Sequence, residues 1–247
     1  MKITIVTVTF NSAKTIRDTL ESIKNQTYPN IEHIIVDGAS SDNTLEIVRQ
    51  YNHVAKIVSE PDNGIYDAMN KGLKIATGDI IGILNSDDFY LSPKTISEVV
   101  NVFKKQATDT VYGDLQYVDA NKIDKIVRTW ISGKFNKNNF YKGWMPPHPT
   151  FFVRKEIYTK FGYFNLKLKM AADYEIMLRF LFKNNVSTYY LPQTIVKMRT
   201  GGVSNSNLRN RLKANSEDKR AWEVNNIDPK FYTFILKPVL KIKQYFI

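Results

Sequence analysis

The 247-residue chain contains no cysteine, which excludes disulfides, thiolate catalysis and Cys-ligated zinc and suits a reducing cytoplasm. No run reaches about 18 consecutive apolar residues, so no bilayer-spanning helix is expected. The N-terminus lacks a charged region leading into a long apolar stretch, because threonines interrupt every short run, and no secretion signal is expected. Internal repeats and low-complexity tracts are also missing. Histidine is scarce, at 3 residues, and acid is absent from the last seventeen positions, Phe231 to Ile247.

What is present points to a folded α/β protein. Apolar residues make up 43% of the chain and the 9 prolines are scattered, which argues against disorder. The length suits one large domain, or a domain with a small appendage. The net charge of +11 is concentrated late: from Lys197 onward there are 11 Lys and Arg against 4 Asp and Glu. In the tail, Phe231, Ile235, Ile242 and Phe246 fall near one helical face and Lys237 and Lys241 on another, with Pro238 able to kink or restart the helix. Such a segment suits an anionic lipid interface, or equally a packing face on the rest of the chain or on another subunit. No nucleic-acid module accompanies the basic isoelectric point, and the cations crowd an apolar tail, so no nucleic-acid partner is expected.

Ile3 to Asn11 is a β-branched run too continuous for a surface strand, followed by Ile16, Leu20 and Ile23 at helical spacing. A second unit follows, with Ile31 to Asp37 as strand, Gly38 to Asn43 as polar turn and Thr44 to Tyr51 as helix, where Glu46 can close a capping box on Asn43. The third pairs Val54 to Ser59 with a helix from Ile65 to Ala76, past which Gly78 fits a left-handed C-cap. Asp79 to Leu84 then reads as a strand ending in Asn85-Ser86-Asp87-Asp88, and Ser92-Pro93 reads as an N-cap followed by proline at the first helical position. Asp37 and Asp87 thus stand at strand C-terminal ends, the edge where open α/β sheets bind ligands, and adjacent carboxylates there can hold a hard divalent cation against a diphosphate. Taken alone, an Asp pair is better explained by a solvated loop cap.

These pieces carry a resemblance. Val8-Thr9-Phe10-Asn11, Val36 to Thr44, Glu60-Pro61-Asp62-Asn63-Gly64, Asn70-Lys71-Gly72 with Ala76 to Asp79, and Asn85 to Asp88 resemble, in this order, the motifs of family 2 glycosyltransferases of the nucleotide-diphospho-sugar (GT-A) fold. Pro147-His148-Pro149-Thr150 before Phe151 to Arg154, Gly162-Tyr163-Phe164, Asp173-Tyr174-Glu175 and Gly201-Gly202-Val203-Ser204 resemble the family's acceptor-side half. The resemblance covers roughly residues 1 to 205. It implies a mostly parallel central sheet flanked by helices, a nucleotide-binding half at 1–92, an acceptor-side half at 93–205, and a basic amphipathic helical extension at 206–247.

The resemblance also implies roles. Thr7, Thr9, Asn11, Asp37, Asn70, Lys71, Asn85, Ser86, Asp88 and His148 are expected around the nucleotide sugar, and Asp87 as the ligand of a Mn²⁺ or Mg²⁺ ion. Asn85 departs from the family's Asp-x-Asp pattern, and the lost carboxylate could lower metal affinity. His148, in its proline frame, is by itself as readily a structural hydrogen-bonder. Asp173 begins a helical stripe in which Ile176 and Phe180 are apolar and could be merely an N-cap worth about 1 kcal/mol; the family motif makes it the expected general base, ahead of Glu175, which faces elsewhere on a helix. Thr110 to Val118 and Ile123 to Thr129 read as a hairpin, and Trp130 to Met145 as an aromatic loop of the kind that closes over sugars.

The implied activity is inverting transfer from a nucleoside-diphosphate sugar, with UDP favoured, to a hydroxyl of a glycan or polyprenyl-linked glycan. The resemblance places such enzymes in bacterial surface-polysaccharide or O-antigen assembly, in the cytoplasm or peripheral on the inner face of its membrane. Two rivals stand: a catalytically inactive nucleotide-sugar-binding scaffold, compatible with Asn85, and a sugar-nucleotide pyrophosphorylase, which should carry a Gly-rich, Arg-containing loop where this chain has Thr9-Phe10-Asn11-Ser12-Ala13.

Overall fold

The computed structural model describes residues 1–201, 208–234 and 236. The first half alternates β1 (Ile3–Thr9), α1 (Ile16–Lys24), β2 (Ile31–Asp37), α2 (Thr44–Val48), β3 (Val54–Ser59), α3 (Ile65–Ile75) and β4 (Ile80–Ile83). The four strands are parallel in the order β3-β2-β1-β4. Every residue of β1 is buried, as its unbroken apolar and threonine run requires of a strand covered on both faces. Val6 and Val8 join the larger core with α3, whereas Ile3 and Ile5 join a second core, a split that follows the two-residue period of a strand.

The second half contains β5 (Asp88–Tyr90), α4 (Thr95–Lys105), β6 (Thr110–Val118), β7 (Ile126–Trp130), β8 (Phe152–Arg154) and α5 (Lys155–Phe161). These are followed by α6 (Ala172–Met177), β9 (Thr188–Arg199) and α7 (Leu208–Val224). A π-helical turn, Leu178–Lys183, prolongs α6. Among the described residues the sheet has nine strands and becomes mixed past β4: β8 is antiparallel to β4 and to β6, β9 is parallel to β6, and β5 and β7 pair antiparallel with β9 and β6.

Helix α7 is built into the larger core. Trp222 is fully buried, its indole N–H donates to the Tyr174 hydroxyl at 3.0 Å, and Glu217 accepts from the backbone N–H groups of Met170 and Ala171 at the entry to α6. From 206 onward, residues 206–207, 235 and 237–247 lie outside the described residues, and most of the expected amphipathic tail falls among them. No helix among the described residues is long and apolar enough to cross a membrane.

Local details differ from the sequence reading. No capping box forms on Asn43; Asp42 instead accepts from the Thr44 backbone N–H and hydroxyl. Gly78 is not a left-handed cap, since α3 ends at extended Ala76; glycine is needed there because a Cβ would lie 2.7 Å from the Thr4 backbone nitrogen. The helix after Ser92-Pro93 starts later, at Thr95, because the Ser92 hydroxyl closes a turn on the Lys94 N–H before helical bonding begins. The return strand of the hairpin starts at Ile126, because Asp119 accepts from Asn121 and Lys122 and spends the intervening residues on the turn.

Candidate active site

One edge of the sheet collects the candidate residues. Asp37 ends β2, and Asn85 to Asp88 follow β4, with β1 between them. The N-terminus of α3 follows β3 at this same edge. Because β8 runs antiparallel to β4, the His148–Thr150 turn that precedes it lies there too. β9 is parallel to β6, itself antiparallel to β8, so Arg199 also arrives there.

Asp37 is fully buried and its two carboxylate oxygens accept from the Ser40 N–H and hydroxyl and from the Ser59 hydroxyl. Asn11 adopts φ 49° and Ala39 φ 62°, left-handed backbone that asparagine tolerates and alanine does not favour. Asn11 Oδ1 accepts from the Ser41 N–H at 2.9 Å, so this side chain holds the loop after β2. Gly38 lets that loop close on its neighbours, since a Cβ would sit 2.5 Å from Asp62 Oδ2 and 3.4 Å from the Phe10 ring. Phe10 itself is 62% exposed at this edge. Thr9 is buried with its hydroxyl unpartnered.

The acidic loop is braced from three sides. The Ser86 and Ser12 hydroxyls bond at 2.8 Å, and the Thr19 hydroxyl donates to the Asp88 carbonyl. Arg199, 6% exposed, donates to the Asp87 carbonyl at 2.7 Å and pairs with Asp18. Burial pushes the Asp87 carboxyl up, with Arg199 opposing; burial and then the Asp87 charge push Asp88 well above the usual range. Asn85 Oδ1 and Asp88 Oδ1 are buried acceptors with no partner, although Asn85 Nδ2 reaches Asp88 Oδ2 at 3.4 Å. Neutralising this cluster needs positive charge, and oxygen-only donors suit a hard ion such as Mg²⁺ or Mn²⁺, which takes one or two carboxylates and fills its remaining positions with phosphate and water. The donor set therefore fits such an ion, although among the described residues no three His, Asp or Glu side chains converge as a complete protein cage.

Asp173 is the second residue of α6 and does not cap it. Its Oδ1 accepts from the Tyr66 hydroxyl at 3.0 Å and from the Tyr174 N–H at 2.9 Å. Tyr66 stacks on Phe164 with ring centroids 5.5 Å apart, and His148 meets the same ring edge-on at 5.7 Å. Burial lowers the His148 pKa while the Asp173 charge opposes it, so the imidazole is neutral at neutral pH. Glu175 is buried and spent on Arg179 and Asn225.

Two expected binding residues do not open onto this edge. Thr7 is fully buried, its hydroxyl 3.0 Å from His33 Nε2, and Asn70 exchanges two 2.9 Å hydrogen bonds with the backbone of Phe164. Lys71 is tied to the Pro61 carbonyl and Glu60, steadying the loop before α3. Tyr66 and Arg199 were not singled out by sequence reasoning. Their partners lie 107 and 112 positions away, and only the adjacency of Tyr66 to the Asp62-Asn63-Gly64 motif hinted at a role.

Residues 4–162 match the family model described as Glycosyl transferase family 2. The PGL/p-HBAD biosynthesis glycosyltransferase of Mycobacterium bovis is 28% identical over 208 residues, covering 82% of this chain and 78% of that protein. An uncharacterized glycosyltransferase of Mycobacterium tuberculosis is 29% identical over 180 residues, 72% of this chain and 68% of its own. Among solved structures, S. aureus TarS 1–349 in complex with UDP-GlcNAc superposes with TM-score 0.70 at 20% identity, over 97% of this chain and 72% of that one. The mannosyltransferase PcManGT from Pyrobaculum calidifontis in complex with GDP-Man and Mn²⁺ gives 0.67 at 20% identity, over 99% and 69%. This chain spans 44% of the longer TarS chain. The structural likenesses carry the GT-A fold, the family match extends over more than half the sequence, and the chain belongs to glycosyl transferase family 2.

Proposed function

We propose that this glycosyltransferase moves a sugar, with inversion, from a UDP-sugar to a hydroxyl of a glycan or lipid-linked glycan acceptor. The observation that carries this reading is the gathering of Asp37, the Asn85 to Asp88 loop, His148 and the Tyr66–Asp173 pair at one sheet edge. Asp37, Thr9 and Asn11 form the wall for base and ribose, with Lys71 steadying the loop beside it. Asp87 holds a divalent ion, with Asn85, Ser86 and Asp88 behind it; when bound, that ion offsets the charge that develops on the leaving diphosphate. The neutral imidazole of His148 supplies a hydrogen bond at the diphosphate without adding a competing charge. Asp173 takes the proton from the acceptor hydroxyl as its oxygen attacks the anomeric carbon, and the carbon–diphosphate bond breaks on the opposite face. The nucleotide sugars bound to TarS and PcManGT support a nucleoside-diphosphate donor, and the Mn²⁺ beside GDP-Man supports the ion. The naming of the M. bovis relative for PGL/p-HBAD biosynthesis supports a biosynthetic transferase, and the acceptor of this proposal is a surface glycan or lipid-linked glycan that a protein peripheral to the inner membrane face would meet.

Release of UDP from a panel of UDP-sugars with Mn²⁺ and a lipid-linked acceptor tests the reading. Asp87→Ala and Asp173→Asn should each remove at least about two orders of magnitude of transfer, the scale of losing an acid–base group or a charge-stabilising contact. Near-parental transfer by Asp173→Asn would overturn the assignment of the base.

A further inference from the structure

We infer that Tyr66 is a positioning residue for the general base, selecting Oδ2 of Asp173 as the atom that receives the acceptor proton. The inference rests on the reading of Asp173 as base and adds which oxygen acts and what holds it. Oδ1 is saturated: it accepts from the Tyr66 hydroxyl at 3.0 Å and from the Tyr174 N–H at 2.9 Å. No described residue bonds to Oδ2, and Asp173 is only partly buried, which leaves Oδ2 as the oxygen available to an acceptor. A carboxylate fixed through one oxygen loses its rotational freedom, and its other oxygen presents a lone pair in a fixed direction, the preorganisation that a proton transfer over hydrogen-bond distance rewards.

Tyr66 is itself immobilised. It is 9% exposed, sits in the first turn of α3 and stacks on Phe164, whose backbone is clamped on both its N–H and its carbonyl by Asn70 one turn along the same helix. Burial first, and then the Asp173 charge, hold the phenol well above its usual pKa, so it remains a donor throughout the neutral range. Because α3 begins directly after the Glu60 to Gly64 loop on the donor side, the hydroxyl links the donor half of the site to the proton acceptor in the other half.

Kinetics of the full chain test this with Tyr66→Phe, Tyr66→Leu, Asp173→Asn and the Tyr66→Phe/Asp173→Asn double variant. Tyr66→Phe keeps the stacked ring and removes only the hydroxyl. It should lower kcat for transfer by roughly tenfold to a hundredfold, the scale of a misplaced catalytic group, and leave donor KM and UDP affinity unchanged. In the Asp173→Asn background the same change should add no further loss, since the two act as one unit. Parental kcat in Tyr66→Phe with a deficit confined to Tyr66→Leu would reduce Tyr66 to packing and overturn the inference. So would a full additional loss in the double variant. Parental turnover in Asp173→Asn alone would overturn the base assignment itself, an outcome distinct from either of those.

Discussion

Asp88 shows at the scale of one residue what a buried carboxyl in the candidate site costs in stability. Its carboxyl is fully buried, has one oxygen without a partner and is raised well above the usual range by burial and by Asp87. A carboxyl raised in the folded state contributes stability that is present below the unfolded value and lost as pH rises through the folded one. At pH 7.5 without metal, Asp88→Asn should therefore raise the thermal midpoint, and the gain should shrink as pH falls toward 4. A lower midpoint at pH 7.5 in EDTA would contradict this. His33 has the opposite sign. Burial, and then the neighbouring His53, lower its pKa to about 3, so its contribution is complete above the unfolded value near 6.5 and is lost as pH falls toward 3. NMR should find the His33 ring neutral from pH 8 to 5; a midpoint near 6.5 would refute the packing of His33 between Thr7 and His53.

Helix α3 ties the loop before it to Asp173 and Phe164, because it carries Tyr66, Asn70 and Lys71. It lies so close to β1 and β2 that a Cβ on Gly72 would collide with Val6 and approach Val36 Cγ2 at 3.2 Å. Gly72→Ala should cost about 1–3 kcal/mol of stability, the usual penalty of overpacking, and should depress transfer by tilting Tyr66 away from Asp173. Denaturant midpoints together with initial rates measure both; an unchanged midpoint would show that the contact yields freely. The parallel elements were legible in the sequence because each announces itself locally: β1 by an unbroken β-branched run, α1 by Ile16, Leu20 and Ile23, and the loop after β4 by its sudden carboxylates. Cap details were not, since Asp42 and Asn43 are both good caps and tertiary contacts decide between them.

For the molecule as a whole, α7 closes the larger core. Trp222 packs against Tyr141 and Phe182 and bonds to Tyr174, next to Asp173 in the chain. Trp222→Ala should cost about 3–5 kcal/mol, as for other buried aromatic truncations, read as a lowered urea midpoint; a loss below about 1 kcal/mol would be that of an exposed surface position and would detach α7 from the core. This packing was illegible in the sequence, which groups α7 with the basic residues after 205, because α7 is polar over most of its length and its anchors are single side chains. The same holds for β5 and β8, three residues each and recognisable only once β9 and β4 supply their partners, and for Arg199, whose tie to the Asp87 carbonyl no local pattern announces. Placement at the strand ends was legible from the motifs, as at Asp37 and Asp87. The partners of Thr7 and Asn70 were not, since each polar side chain bonds to a residue distant in sequence, His33 and Phe164.

The most direct measurement is calorimetric titration of UDP into the full chain with Mn²⁺ and with EDTA, repeated for Asp87→Ala. The strand-end carboxylate should make UDP bind more tightly with Mn²⁺ than with EDTA, and Asp87→Ala should lose that gain while keeping the metal-free affinity. Equal affinity for UDP in Mn²⁺ and in EDTA would contradict a donor site built around Asp87.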